Sequence, residues 1–190
     1  MKIWQKLSLF AFAILIVNFK LLAQEDIEFF EEYFSLNSKH QLLSQFVGDW
    51  KVNIAYFSSQ GEDYAKGKLQ SSLSYAYRIL EMNFSIESSA GVAFEMKYLI
   101  GYDGISKKFF LIILNNLTNE LQVLKGEYSE KNKEFLFKGT TVDSKVKKRV
   151  PFSMKIYFER ENKAMIDSYV IKNGKEKLIS RCMLIKVQND

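Results

Sequence analysis

The chain has 190 residues, 47% of them hydrophobic and 15% aromatic, enough for one domain with a sizeable core. A single cysteine excludes an intramolecular disulfide and a CxxC redox pair, and a single histidine excludes a multi-histidine metal site. The formal charge of +5 includes Lys2, Lys6 and Lys20 of an acid-free leader; the +2 left on the rest gives no footing for nucleic acid or an acidic membrane surface.

Met1 to Ala23 reads as a secretory signal peptide. Lys2 and Lys6 form the positive start, and Leu7 to Val17 is an apolar run of eleven residues, too short to span a bilayer. Cleavage after Ala23 predicts an exported protein, periplasmic or secreted, that begins near Gln24 and has no stable membrane anchor. Residues 24–39 form an acidic lead-in, with Glu25, Asp26, Glu28, Glu31 and Glu32 among Ile27, Phe29, Phe30, Tyr33 and Phe34. The domain proper runs from 40 to 190. It opens with a helical turn or two in which Leu42, Leu43 and Phe46 share a face, with Ser38 as the N-cap. Gly48 suits a sharp exit, because it takes positive φ without a Cβ clash. Trp50 then points to the interior.

From Trp50 onward the period is two. Trp50, Val52, Ile54 and Tyr56 alternate with polar or small residues. Strands follow around Leu69–Tyr75, Leu80–Ile86, Phe94–Tyr102, Lys108–Asn115, Leu121–Tyr128, Glu134–Thr140, Val150–Glu159, Ala164–Ile171 and Glu176–Val187. Lys108–Asn115 is apolar on both faces, which predicts cover on both. Asp103-Gly104 and Glu161-Asn162 read as turns, and Asn173-Gly174 as a type I′ hairpin whose two central residues need positive φ. About ten short strands with tight turns predict an all-β fold: one antiparallel meander barrel, closed on itself so that no edge is left, with the short N-terminal helix over one end.

Several short motifs fall in a familiar order: His40-x-x-Leu43, Val47-Gly48-x-Trp50, Ile100-Gly101-Tyr102-Asp103 and Gly126-x-Tyr128. With them the chain from His40 to Val187 resembles the bacterial group catalogued as domain of unknown function 1579. The resemblance implies a lipocalin-like, calycin-type barrel and no assigned activity. The Gly48-x-Trp50 step also resembles the lead into the first lipocalin strand, where the Trp plugs the closed end. Such barrels often lay a basic side chain of the last strand over that Trp. By parity Ile179, Arg181, Met183, Ile185 and Val187 share one face of the last strand, so Arg181 is expected either to cover Trp50 and complete the closure or, equally, to point to the surface.

Candidate chemistry is sparse. His40 lies before the first strand, where a structural role outweighs a ligand role. No serine carries an elbow motif of the kind a catalytic triad uses. Glu81 points outward by parity. The basic run Lys145 to Arg149 lacks the interleaved aromatics that stack on bases, so it reads as a solvated loop. No catalytic residue, metal site or cofactor is assigned. What remains is the aromatic inner face: Trp50, Tyr56, Phe84, Phe94, Met96 and Tyr98, with Tyr102 near a mouth. These are the expected lining of a cavity, because a barrel of about ten strands is wider than one of eight. The expected function is non-enzymatic binding of a small apolar or amphipathic molecule. Two alternatives stand beside it: an isomerase or hydrolase using a carboxylate–tyrosine site inside the barrel, and an envelope interaction module with a filled barrel. Ligand identity and oligomeric state are not legible.

Overall fold

The computed structural model describes residues 35–59, 61–143 and 147–188. The expected signal peptide Met1–Ala23 and the acidic lead-in up to residue 34 lie outside the described residues. Among the described residues, one helix, α1 (Ser38–Ser44), precedes ten strands. These are β1 (Gly48–Phe57), β2 (Glu62–Ser74), β3 (Ile79–Ser88), β4 (Ala93–Asp103), β5 (Lys108–Asn115), β6 (Gln122–Ser129), β7 (Glu134–Asp143), β8 (Lys148–Arg160), β9 (Lys163–Lys172) and β10 (Lys175–Lys186). Each strand pairs antiparallel with its neighbour, and β1 also pairs with β10, from Trp50 opposite Lys186 to Tyr56 opposite Ser180. The sheet is therefore a closed ten-strand meander, which leaves no strand edge unpaired. No helix among the described residues is long and apolar enough to cross a membrane.

The hairpins follow their turn chemistry. Asn173 and Gly174 both have positive φ, 51° and 72°, as a type I′ turn demands. The Asp103 carboxylate accepts the Ile105 amide at 3.0 Å and the Ser106 hydroxyl at 2.6 Å, so it serves the turn between β4 and β5. Glu81 faces outward and pairs with Lys97 at 3.2 Å.

α1 packs against β2, β3 and β4 and closes one end. The Trp50 indole N–H donates to the Phe46 carbonyl at 2.9 Å, and the Ser71 hydroxyl reaches the same carbonyl as well as that of Gly48. Phe46 lies 4.7 Å from Phe158 between ring centroids, and Phe135 adds a third ring at 6.1 Å. Gly48 makes the turn into β1 with φ of +127°.

Two sequence expectations change. The outer face of β5 is not fully covered: Phe110 and Ile112 are half-buried and Leu114 is exposed. Arg181 does not reach Trp50. The cation over the Trp50 ring is Lys186, its cross-strand neighbour, with Nζ 5.2 Å from the centroid. The reason is a β-bulge in β10 between Leu178 and Ser180, which places one extra residue, Ile179, against β9. A bulge reverses the alternation beyond it. Cys182 and Leu184 therefore turn inward, and Arg181 turns outward to grip Asp167 with two hydrogen bonds of 2.8 Å. Asp167 is only 2% exposed and accepts from the Tyr157 and Tyr169 hydroxyls as well, both at 3.3 Å. This cluster ties β8, β9 and β10 together on the outer surface. Arg181→Met leaves the buried carboxylate with two phenol donors, and it is expected to lower the unfolding free energy by about 2 kcal/mol in urea denaturation. A loss under about 0.5 kcal/mol would place the pair among exposed ion pairs of little consequence.

Candidate functional site

Strand alternation sends Tyr56, Phe84, Phe94, Met96 and Tyr98 inward in the half of the barrel away from α1. Met82 pairs Tyr98 and Phe84 pairs Met96 across β3 and β4, and the Phe84 and Tyr98 rings lie 4.9 Å apart. Trp50 and Tyr102 sit elsewhere. Trp50 is part of the plug, and Tyr102 packs its ring against His40 at 5.9 Å and Phe109 at 5.1 Å near α1. Tyr102 is thus placed at the closed end, not at a mouth. His40 is buried there, and burial with the nearby Arg78 charge holds its imidazole below the ordinary range.

Packing is not uniform along the barrel axis. Leu80, Met82, Leu111, Leu124, Phe137 and Leu184 are sealed, at 0% exposure. Toward the far end Phe94, Tyr98, Ser168 and Cys182 reach 7%, and Tyr56 and Met96 are half-buried. Four hydroxyls lie on this inner surface. Ser168 alternates inward with Ile166 and Val170, Ser180 is its cross-strand partner on β10, and Tyr56 faces Ser180 from β1; Tyr98 comes from the opposite wall. None of these four hydroxyls takes a hydrogen-bond partner among the described residues. Among the described residues, every fully enclosed side-chain nitrogen or oxygen does have a partner. The four hydroxyl oxygens therefore keep some accessible surface and are not sealed against apolar walls, where leaving one unpaired costs about 1–3 kcal/mol.

These groups are neutral donors at ordinary pH. Burial, with smaller contributions from Cys182 and Asp63, pushes the Tyr56 phenol up to about 12. Burial likewise raises Tyr98, with Cys182 and Tyr56 next in weight, so the three side chains form one neighbourhood. The Cys182 thiol is pushed up to about 12, first by burial and then by the Asp167 charge on the other side of the sheet. Phe84, Phe94, Met96, Phe152 and Val170 supply apolar wall around this polar group. The only buried carboxylate among the described residues, Asp167, is on the outer face; Asp63, paired with Tyr56 on the inner face, is exposed at the rim, so the buried carboxylate–tyrosine pair expected for an enzyme is not formed among the described residues. No group of three or more His, Cys, Asp and Glu side chains among the described residues is placed to hold a metal ion.

Sequence reasoning found the aromatic members of this site through their alternation. It missed Ser168, Ser180 and Cys182. In β9 both faces read as apolar, and in β10 the bulge reverses the parity, so neither strand signals which side its small polar residues face.

A family model described as protein of unknown function (DUF1579) matches residues 35–186. Among solved structures, the S-type phycobiliprotein lyase CPES from Guillardia theta is similar at 11% identity and a TM-score of 0.53, over 84% of this chain and 97% of that one. Rv2717c from M. tuberculosis is similar at 11% identity and a TM-score of 0.56, over 81% of this chain and 100% of that one. These likenesses concern the fold, a lipocalin-like barrel. No curated protein matches the chain.

The raised Cys182, Tyr56 and Tyr98 values fix a pH dependence. The unfolded chain releases these protons near pH 9 for the thiol and near pH 10 for the phenols, whereas the folded chain keeps them beyond those points. The stabilising difference is thus fully present at neutral pH and is lost as pH rises above about 9, at up to ~1.4 kcal/mol per pH unit for each group. Urea midpoints should fall through this alkaline range, less steeply in Tyr98→Phe. An identical slope in that variant would show that Tyr98 ionises as freely in the fold as in the unfolded chain.

Proposed function

The chain belongs to the DUF1579 family of proteins of unknown function, and we propose that it binds a small amphipathic molecule in the half of the barrel away from α1. The observation that supports this most is the set of four unpartnered inward hydroxyls, Tyr56, Tyr98, Ser168 and Ser180, set in an otherwise apolar wall. A barrel meant to be filled by its own side chains gains nothing from hydroxyls that its walls do not satisfy. A ligand with an apolar body and one or two oxygen acceptors answers both features at once. Burying roughly 300 Å² of such a ligand supplies about 7 kcal/mol at 25 cal/mol per Å². Association and ordering costs remove part of that, leaving affinity in the micromolar range. The filled-barrel alternative conflicts with the same hydroxyls, and the enzyme alternative lacks a buried inward carboxylate among the described residues, since Asp63 beside Tyr56 is exposed at the rim.

Prodan, a neutral naphthalene dye whose emission senses hydrogen bonding to its ketone, is a suitable probe. The native protein is expected to bind it saturably with a blue-shifted emission. Tyr98→Phe, which removes only the hydroxyl, is expected to weaken binding about three- to tenfold and to shift the emission further to the blue. Absence of saturable binding to the native protein would overturn the proposal.

A further inference from the structure

The rim of the barrel away from α1 is unevenly charged. A recess of about 400 Å³ lies there, lined by Phe57, Thr141, Asp143, Val170, Lys172, Lys177 and Ile179 among others. Directly paired residues of a sheet share a face. Lys177 pairs with Val170, an inward residue of the barrel wall, so Lys177 belongs to the inner face. Two-residue steps along the same strands place Lys175 and Lys172 on that face as well, opposite each other at the hairpin. On β8, Lys148 lies two residues before Val150, which packs on the core, and it pairs with Asp143 on β7.

This quarter of the rim thus carries Lys148, Lys172, Lys175 and Lys177 against one carboxylate, Asp143, which is held by Lys172 at 2.7 Å. Lys148, Lys175 and Lys177 have no ion-pair partner among the described residues. Asp63, on the inner face of β2 two strands from β10 at the same end of the barrel, accepts from the Ser89 hydroxyl and the Tyr64 amide. Like charges directly opposite on a sheet, as Lys172 and Lys175 are, are destabilising on their own. The bulge at Ile179 matters here too. It sets the alternation so that Lys177 faces the recess, while Glu176 turns outward to accept from the Ser153 hydroxyl at 3.0 Å. Inside the barrel the polar groups are uncharged.

We infer that the ligand is an amphipathic anion. Its singly charged head, a carboxylate or sulfate, rests on Lys177 in the rim recess with Lys175 at the adjoining hairpin, and its apolar body runs inward toward Tyr56 and Tyr98. The inference rests on the binding proposed above and names the chemistry of its ligand. The head stays hydrated at the rim because the interior has no cation to pair with it, and burying an unpaired charge is costly.

Dansyl-labelled undecanoic acid and its methyl ester share an apolar body and differ in the charge of the head. At low salt the native protein is expected to bind the acid roughly three- to tenfold more tightly than the ester. The preference should shrink as salt is raised. In the double variant Lys175→Met with Lys177→Met the acid should fall to the level of the ester; both positions are exposed, and unchanged thermal unfolding confirms that the fold is kept. Equal binding of acid and ester by the native protein, or a preference that survives the double substitution, would overturn the anionic head while leaving the binding proposal standing. Failure of both molecules to bind would overturn the two together.

Discussion

The carbonyl of Phe46 is the point on which the barrel's polarity depends. It lies just after α1 and receives the Trp50 indole N–H, with the Ser71 hydroxyl in reach. That buried acceptor joins the helix, the first strand and the second, and the rings of Phe46, Phe158 and Phe135 gather around it. One end of the barrel is thereby filled with side chains at 0–2% exposure. Closure of β1 onto β10 then fixes the wall, because a sheet without edges cannot slip or add strands. With one end plugged and the wall closed, any ligand has to come through the other end.

The two halves of the interior obey different physical requirements. Near α1 the barrel is a dry core, in which each side chain contributes by burial and close packing. In the other half the wall includes hydroxyls and a thiol whose raised values keep them protonated, so they donate hydrogen bonds without bringing charge inside. Charge is kept to the two surfaces. On the outside the buried Asp167 carboxylate pairs across strands with the exposed Arg181, and the lysines gather on the rim. The same bulge in β10 produces both arrangements, since it turns Arg181 outward on one side of Ile179 and sets Lys177 toward the recess on the other.

The period-two pattern made the ten-strand barrel and its helix legible from residues alone, because aromatic and branched residues at every second position have one physical explanation. The limits were equally physical. The first half of β2, from Glu62 to Lys68, carries Asp63, Ala65 and Gly67 on its inner face, so no apolar alternation marks it. Gly67 is required there because a Cβ would lie 2.1 Å from the Ser85 carbonyl oxygen. The apolar outer face of β5 suggested cover that the described residues supply only in part. For the site, bulky members such as Phe84 and Tyr98 announced themselves, whereas Ser168, Ser180 and Lys177 depended on register. A single inserted residue changes register without changing composition, which is why Arg181 was expected over Trp50 and Lys186 occupies that place.

Cys182, the only cysteine of the chain, sits in the inner wall beside Tyr56 and Tyr98, and its modification tests most directly whether that half of the barrel admits a small molecule. The rate of reaction with methyl methanethiosulfonate at pH 9 would be followed by intact mass across low urea concentrations and compared with global unfolding. The account predicts a slow reaction whose rate does not depend on urea below the unfolding transition and which bound prodan suppresses. A rate that tracks the unfolded population throughout, with no protection by the dye, would mean that the interior is filled and that the barrel is not a binding site.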